Sequence, residues 1–315
     1  MNDQFFINRG SDSRLLINVA SFLTLALLVF LMIVHPRIKD VSIPTLPATK
    51  AFPEVALKAK AAYVYDVRNQ KVLFAKSEDR RLPLASLTKI MSALVAEDIS
   101  PLYGTITISG EALTADGDSG LLIGEEWSLK NLLDFSLLTS SNDGMRAVAL
   151  SLGALSRANA TSAEIVSDFV LEMNNKASTL GLKNTYFINE TGLDEDDIKS
   201  GAYGSAHDVS ALFEYAITHH PELLAATKEP RGVYYSFSNQ AHMGKNTNFL
   251  VDEIPGIIAS KTGFTNTAGG NLVVAFDPEI GRPIIISILG STERGRFEDV
   301  RALVSAVMFY INNSN

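Results

Sequence analysis

Ser86 and Lys89 stand three residues apart in LPLASLTKIMSALVAED, where Leu87, Ile90, Met91, Leu94 and Val95 recur at the intervals of an amphipathic helix. At that spacing the two side chains share one helix face. Ser86 at the helix start would keep its backbone N–H clear of an intrahelical partner, with the helix dipole favouring negative charge beside its hydroxyl. The chemistry this permits is acyl transfer. A lysine held below its usual pKa by burial or nearby cations can take the serine proton near neutral pH. Taken alone, the pair reads as an N-capping serine followed by an exposed lysine, because composition predicts about one Ser-x-x-Lys in a chain this long. Two further segments change that. Ser140-Ser141-Asn142 follows a helical run in LLDFSLLTSSNDG, and Lys261-Thr262-Gly263 lies in the strand-like IIASKTGFTNTAGG. Each separately could be a helix-end cap or an edge-strand lysine before a turn. Those readings leave unexplained why all three occur together, in this order, each in the right kind of element.

Ser-x-x-Lys, Ser-x-Asn and Lys-Thr-Gly form the motif set of serine β-lactamases and penicillin-binding proteins. From about Lys60 to the C-terminus the chain resembles the D-alanyl-D-alanine carboxypeptidases, the low-molecular-weight penicillin-binding proteins. The resemblance runs through RLPLASLTKIMSALV, LLTSSNDG, MNNKASTLGLKNTYFINETGLD and SKTGFTNTAGGNLVVAF. It departs at Ser141, where glycine is usual, at Ser260, where glycine often precedes the lysine, and in showing no C-terminal β-rich domain. The resemblance implies Ser86 as nucleophile, Lys89 as general base, and Ser140 as the relay returning a proton to the departing D-alanine. Asn142 would hold the substrate's peptide amide, Lys261 and Thr262 its terminal carboxylate, and Gly263 would let its backbone lie along the strand. The backbone N–H groups of Ser86 and Phe264 would form the oxyanion hole. Implied partners are peptidoglycan stem peptides and β-lactams as covalent inhibitors, with no cofactor and no metal. Three other readings share the motifs. A β-lactamase would need a deacylating base, and no Glu-Pro-x-Leu-Asn segment lies between Asn142 and Lys261. A D,D-endopeptidase attacks the same kind of bond. A non-catalytic wall-binding protein would not require Ser86, Lys89, Ser140 and Lys261 all intact.

The elements expected to position these residues follow an α+β order. AAYVYDV and KVLFAK predict a hairpin turning at Arg68, Asn69 and Gln70. Helical periodicity covers Leu129 to Leu138, Ala147 to Leu152 and Glu164 to Leu180. GIIASKTG, NLVVAF and PIIISILG read as strands, with a turn from Asp277 to Arg282. Phe297, Val300, Val304, Val307, Met308 and Ile311 mark one face of a closing helix. With the resemblance, the expected fold is β-lactamase/transpeptidase-like: an antiparallel sheet flanked by helices, a helical lobe, and a site in the cleft between them.

The 315 residues, 46% hydrophobic, suffice for a substantial core, and the absence of cysteine removes disulfides and thiol chemistry. A net charge of -8 without a basic stripe argues against a nucleic-acid partner. Leu15 to Val34 is apolar and uncharged, long enough to span about 30 Å as a helix. It predicts a single-pass membrane anchor, too long for a signal-peptide core and followed by no small-x-small cleavage site. Arg9 and Arg14 precede it and Arg37 and Lys39 follow, so charge alone leaves its orientation open; a wall substrate would place the catalytic domain outside the cytoplasm. The expected division is a tail over 1–14, the transmembrane helix over 15–34, a Pro-containing linker over 35–53 and a catalytic domain over 54–315. His207, His219, His220 and His242 lack metal-ligand spacing and read as surface or loop residues. Gly269-Gly270 reads as a turn into a strand, and Asp194 to Asp197 as a solvated loop edge.

Overall fold

The computed structural model describes residues 12–34, 51–156 and 160–313. It divides into two units, Met1–Thr49 and Lys50–Asn315. In the first, α1 (Asp12–Val34) is a helix of 23 residues, and its side chains from Ile17 to Ile33 are exposed. Among the described residues no helix is long and apolar enough to cross a membrane. The side chains at both ends of the expected span, Leu15, Leu16 and Val34, lie outside that description, as do most of the tail and linker.

The second unit opens with the predicted hairpin, β1 (Ala61–Asp66) and β2 (Lys71–Lys76), with Gln70 at φ 49° in the turn. After the short β3 (Leu82–Pro83) the chain enters α2 (Thr88–Ile99). Its expected amphipathic character is not what the structure shows, because every residue from Thr88 to Ala96 is buried. Such all-round burial marks a helix running through the core. Strands β4 (Thr105–Thr107) and β5 (Glu126–Ser128) lead into α3 (Leu129–Thr139) and α4 (Asn142–Gly153). The latter starts earlier than its apolar period suggests, since Ser141 caps it by accepting from Gly144 N–H at 2.9 Å. Helix α5 (Ser162–Thr179) begins with a capping box between Thr161 and Glu164. Short strands β6 (Tyr186–Phe187) and β7 (Ala202–Gly204) precede α6 (Ala206–His219). An unpredicted ribbon follows, β8 (Arg231–Tyr235) and β9 (Ala241–Lys245).

The last strands, β10 (Ile257–Thr265), β11 (Gly269–Phe276) and β12 (Ile284–Ser291), join the first hairpin in a five-stranded antiparallel sheet ordered β10-β11-β12-β1-β2. Strand β12 is central and buried throughout. Alternation divides its side chains between two cores. Ile284, Ile286 and Ile288 share a core with Phe297, Val300, Val304 and Val307 of the predicted closing face of α7 (Gly295–Asn312), and with Leu303 beside them. Ile285 and Leu289 share the larger core with the helical lobe. Asp277 makes the predicted β11–β12 turn by accepting from Gly281 N–H at 2.7 Å and Arg282 N–H at 2.6 Å. Gly269 opens β11 at φ 68°, as expected of a turn entering a strand.

Phe213 of α6 is fully buried in the core that joins lobe to sheet. Phe213→Ala is expected to destabilise the fold by about 3–5 kcal/mol, combining lost transfer energy with an unfilled cavity. Chemical denaturation of the two proteins measures this, and coincident midpoints would show that the interface does not hold lobe and sheet together.

Candidate active site

The chain arrives at Ser86 through a constrained turn. Ala85 has φ 49°, Ala85–Leu87 form a 3-10 turn, and Thr88 Oγ1 donates to the Ala85 carbonyl at 2.7 Å. Ser86 therefore lies in the 3-10 turn that leads directly into α2. It still meets Lys89, whose Nζ donates to Ser86 Oγ at 2.9 Å, to Asn142 Oδ1 at 2.6 Å and to the Thr191 carbonyl at 2.8 Å. Ser86 is half-buried, while Lys89 has no exposed surface. Loss of hydration pulls the Lys89 pKa down to about 7, against an opposing pull from the Glu190 carboxylate.

Ser140 closes α3 in the left-handed conformation, φ 61° and ψ 34°, and Asn142 is the first residue of α4. The break between these helices presents Ser140 Oγ to Lys261 Nζ at 2.9 Å. Asn142 Nδ2 donates to the Asp116 carbonyl at 2.6 Å, which turns its Oδ1 toward Lys89. Lys261, 1% exposed on the edge strand β10, also donates to the Thr262 carbonyl at 2.9 Å. Burial, then the positive charges of Lys89 and Arg296, hold its pKa well below the usual lysine value. Thr262 Oγ1 lies 2.6 Å from Thr247 Oγ1. Gly263 has no room for a side chain, since a Cβ there would sit 2.8 Å from the Leu84 carbonyl oxygen. Phe264 is 43% exposed at the same edge.

A hydroxyl beside a buried amine, with a second hydroxyl beside a second buried lysine, can generate and protonate an acyl-transfer intermediate without a metal. Residues 47–292 match the family model described as D-alanyl-D-alanine carboxypeptidase. The chain belongs to that family. Among D-alanyl-D-alanine carboxypeptidases it is similar to DacF of Bacillus subtilis, 31% identical over 266 residues. That match covers 81% of this chain but only 63% of the relative's length. It is also similar to the D-alanyl-D-alanine endopeptidase of Escherichia coli, 30% identical over 253 residues, covering 78% of this chain and 75% of that one. The Streptomyces K15 DD-transpeptidase superposes with a TM-score of 0.71 at 25% identity, covering 82% of this chain and 98% of that chain. The ampicillin-bound Penicillin-Binding Protein D2 of Listeria monocytogenes does so with a TM-score of 0.67 at 30% identity, covering 81% and 98%. The expected transpeptidase-like fold is thus observed for the second unit.

The two serines that stand where the family has glycine are accommodated locally. Ser141 Oγ accepts from Ser119 Oγ at 2.6 Å besides capping α4. Ser260 Oγ donates to the Thr227 carbonyl at 3.1 Å. Arg296 was not found from sequence: only 7% exposed, it donates to the Gly263 carbonyl at 2.7 Å, but its position beside the apolar stripe of α7 carries no local signal. His207, His219 and His220 find their partners in Asp79, the Tyr215 carbonyl and Glu97. His242 is not a surface residue; it is buried, 2.8 Å from Glu125, and packs against Trp127. Asp194 is not simply solvated, since it accepts from Thr265 Oγ1 at 2.9 Å and Thr267 N–H at 3.2 Å. Among the described residues no His, Asp and Glu cluster is placed to hold a metal.

In carbon-13 NMR of Lys Cε, one lysine is expected to titrate near pH 7, the value for Lys89, and to vanish in Lys89→Met. The folded value lies below the 10.5 of the free side chain, so between them the unfolded chain binds the extra proton. The contribution of Lys89 to stability therefore rises with pH across that window and is smallest below about 7. All lysines titrating near their ordinary value would refute the lowered pKa of Lys89.

Proposed function

We propose that the protein is a serine-type D-alanyl-D-alanine carboxypeptidase acting on peptidoglycan stem peptides, with Ser86 as its nucleophile. The observation that carries this reading is Lys89 Nζ, fully buried and 2.9 Å from Ser86 Oγ, with its pKa drawn down to about 7. As a neutral amine it accepts the hydroxyl proton while Oγ attacks the carbonyl of the penultimate D-alanine. The oxyanion is received by the backbone N–H groups of Ser86 and Phe264. Ser140, held by Lys261, relays the proton taken up by Lys89 to the departing amine, giving its own and receiving that one in turn, and the C–N bond breaks to leave an ester on Ser86. Water then cleaves that ester, regenerating the hydroxyl. Lys261 and Thr262 take the terminal carboxylate, Asn142 the peptide amide, and the β10 edge beside Gly263 pairs with the substrate backbone.

A D,D-endopeptidase reading is supported by the similar Escherichia coli and Pseudomonas aeruginosa proteins, each called a D-alanyl-D-alanine endopeptidase. It uses the same acyl-enzyme and differs in the leaving group. We assign the catalytic domain to 54–315 and, to α1, a role as single-pass anchor holding that domain outside the cytoplasm. The support is a helix of 23 residues, about 34 Å at the usual rise, without a charged residue after Arg14. Full-length protein should stay with membranes after an alkaline wash, and a chain lacking residues 1–49 should not.

Ser86→Ala is expected to abolish both release of D-alanine and covalent labelling by benzylpenicillin, read by intact mass. Labelling that persists would transfer the nucleophile's role elsewhere. In the unaltered protein a stable adduct mapped to Ser86 supports the peptidase, and antibiotic consumed without an adduct supports a β-lactamase.

A further inference from the structure

Glu190 and Arg146 occupy the ground next to the lysine but have no part in the steps above. Glu190 immediately precedes Thr191, whose carbonyl accepts from Lys89 Nζ. The Glu190 carbonyl accepts from Ser92 Oγ at 2.6 Å, so α2 grips this segment through two side chains spaced three residues apart. The Glu190 side chain has no exposed surface, and Arg146 Nε of α4 lies 2.6 Å from its Oε1. Neither carboxylate oxygen nor that Nε makes a hydrogen bond of good geometry. Arg146 therefore supplies charge to Glu190 more than a directed bond.

A buried carboxylate is costly unless an opposite charge accompanies it. An unneutralised one beside Lys89 would favour the ammonium form and remove the base that Ser86 needs. The other groups facing Lys89 are neutral acceptors: Ser86 ahead of α2, Asn142 of α4 and the Thr191 carbonyl. Lys89 acts as a like charge on Lys261 of β10, and so does Arg296 of α7. Around the segment itself are Ser92 and, 3.6 Å from Ser92 Oγ, the Met173 sulfur of α5, neither charged. The anion that acts on Lys89 in this surrounding is the carboxylate of Glu190.

We propose that the Glu190–Arg146 pair is a charge-balancing element that sets the protonation state of Lys89, Glu190 preserving its basicity and Arg146 keeping the ammonium form from being locked in. The proposal rests on the reading of Lys89 as general base. Both are positioning residues, acting through Lys89 and not on the substrate.

The test is the pH profile of benzylpenicillin acylation by the full-length protein, alongside the Cε titration of Lys89, in four variants. Arg146→Met should move both midpoints up by about one unit, so that acylation near pH 6 slows about tenfold. Glu190→Gln should move them down by a similar amount. The double variant, lacking both charges, should return close to the unaltered protein, and Arg146→Lys should preserve its profile. A purely structural role would lower the rate at every pH without moving the midpoint, and coincident midpoints in Glu190→Gln and the unaltered protein overturn the proposal. Should Arg146→Met fail to fold, Glu190→Gln and the double variant still decide. If the unaltered protein is never acylated, the general-base reading fails, while the Cε midpoints continue to test the charge balance.

Discussion

Among the described residues two lysine side chains are buried with no carboxylate at ion-pair distance from either, and much of the local architecture answers that constraint. Lys89 and Lys261 are 0% and 1% exposed, and their Nζ groups donate to hydroxyls, a side-chain amide and backbone carbonyls. A fully charged ammonium in such a place would cost several kcal/mol after relaxation. The structure meets this by letting the proton affinity fall and by aiming oxygen acceptors at nitrogen. The five acceptors come from four elements, so the lysines are also the seam joining the turn before α2, the α3–α4 break, the Thr191 loop and the β10 edge.

That seam explains why the surrounding backbone is unusual. Ala85 and Ser140 both adopt positive φ although neither is glycine. Such conformations cost about 1–3 kcal/mol each and persist where packing over-determines them. Here the first turns the chain into the 3-10 segment carrying Ser86, and the second turns Ser140 toward Lys261 as α3 ends. The sheet supplies the rigid side of the arrangement. With β12 buried on both faces and β10 at one edge, Lys261 is held by a fixed register, Lys261 against Val273, while the strand's outer side is left to the cleft.

Features carried by local spacing were the ones legible in the sequence. The Ser86–Lys89 interval, the order of the motifs, the first hairpin and the apolar face of α7 all depend on neighbours within a few residues. The all-round burial of α2 was not legible, because apolar periodicity reports one face and cannot show that Thr88, Lys89 and Ser92 are enclosed by another lobe. Contacts closed by the fold were hidden for the same reason. Lys89 reaches Thr191 across 102 positions and Arg296 reaches Gly263 across 33, and neither interval has a sequence signature. His242 was misread because alternation in the β8–β9 ribbon is too short to distinguish its buried face, on which Trp127 and Glu125 wait, from its exposed one.

The serine at position 141 shows what the Ser-x-Asn motif asks of its middle residue. Glycine at such a position suggests a need for left-handed backbone or for empty space. Ser141 has φ −61° and ψ 125°, an ordinary extended conformation, so no glycine is required by the backbone; the left-handed residue is Ser140. Nor is empty space required, for the Ser141 hydroxyl turns to Gly144 N–H and Ser119, capping α4 and tying in the loop that carries Asp116. Since Asp116 fixes the Asn142 amide, the extra hydroxyl strengthens the support of the residue that faces Lys89 without entering the site. The position therefore constrains where the side chain points, and a small polar residue satisfies that constraint as well as an absent one.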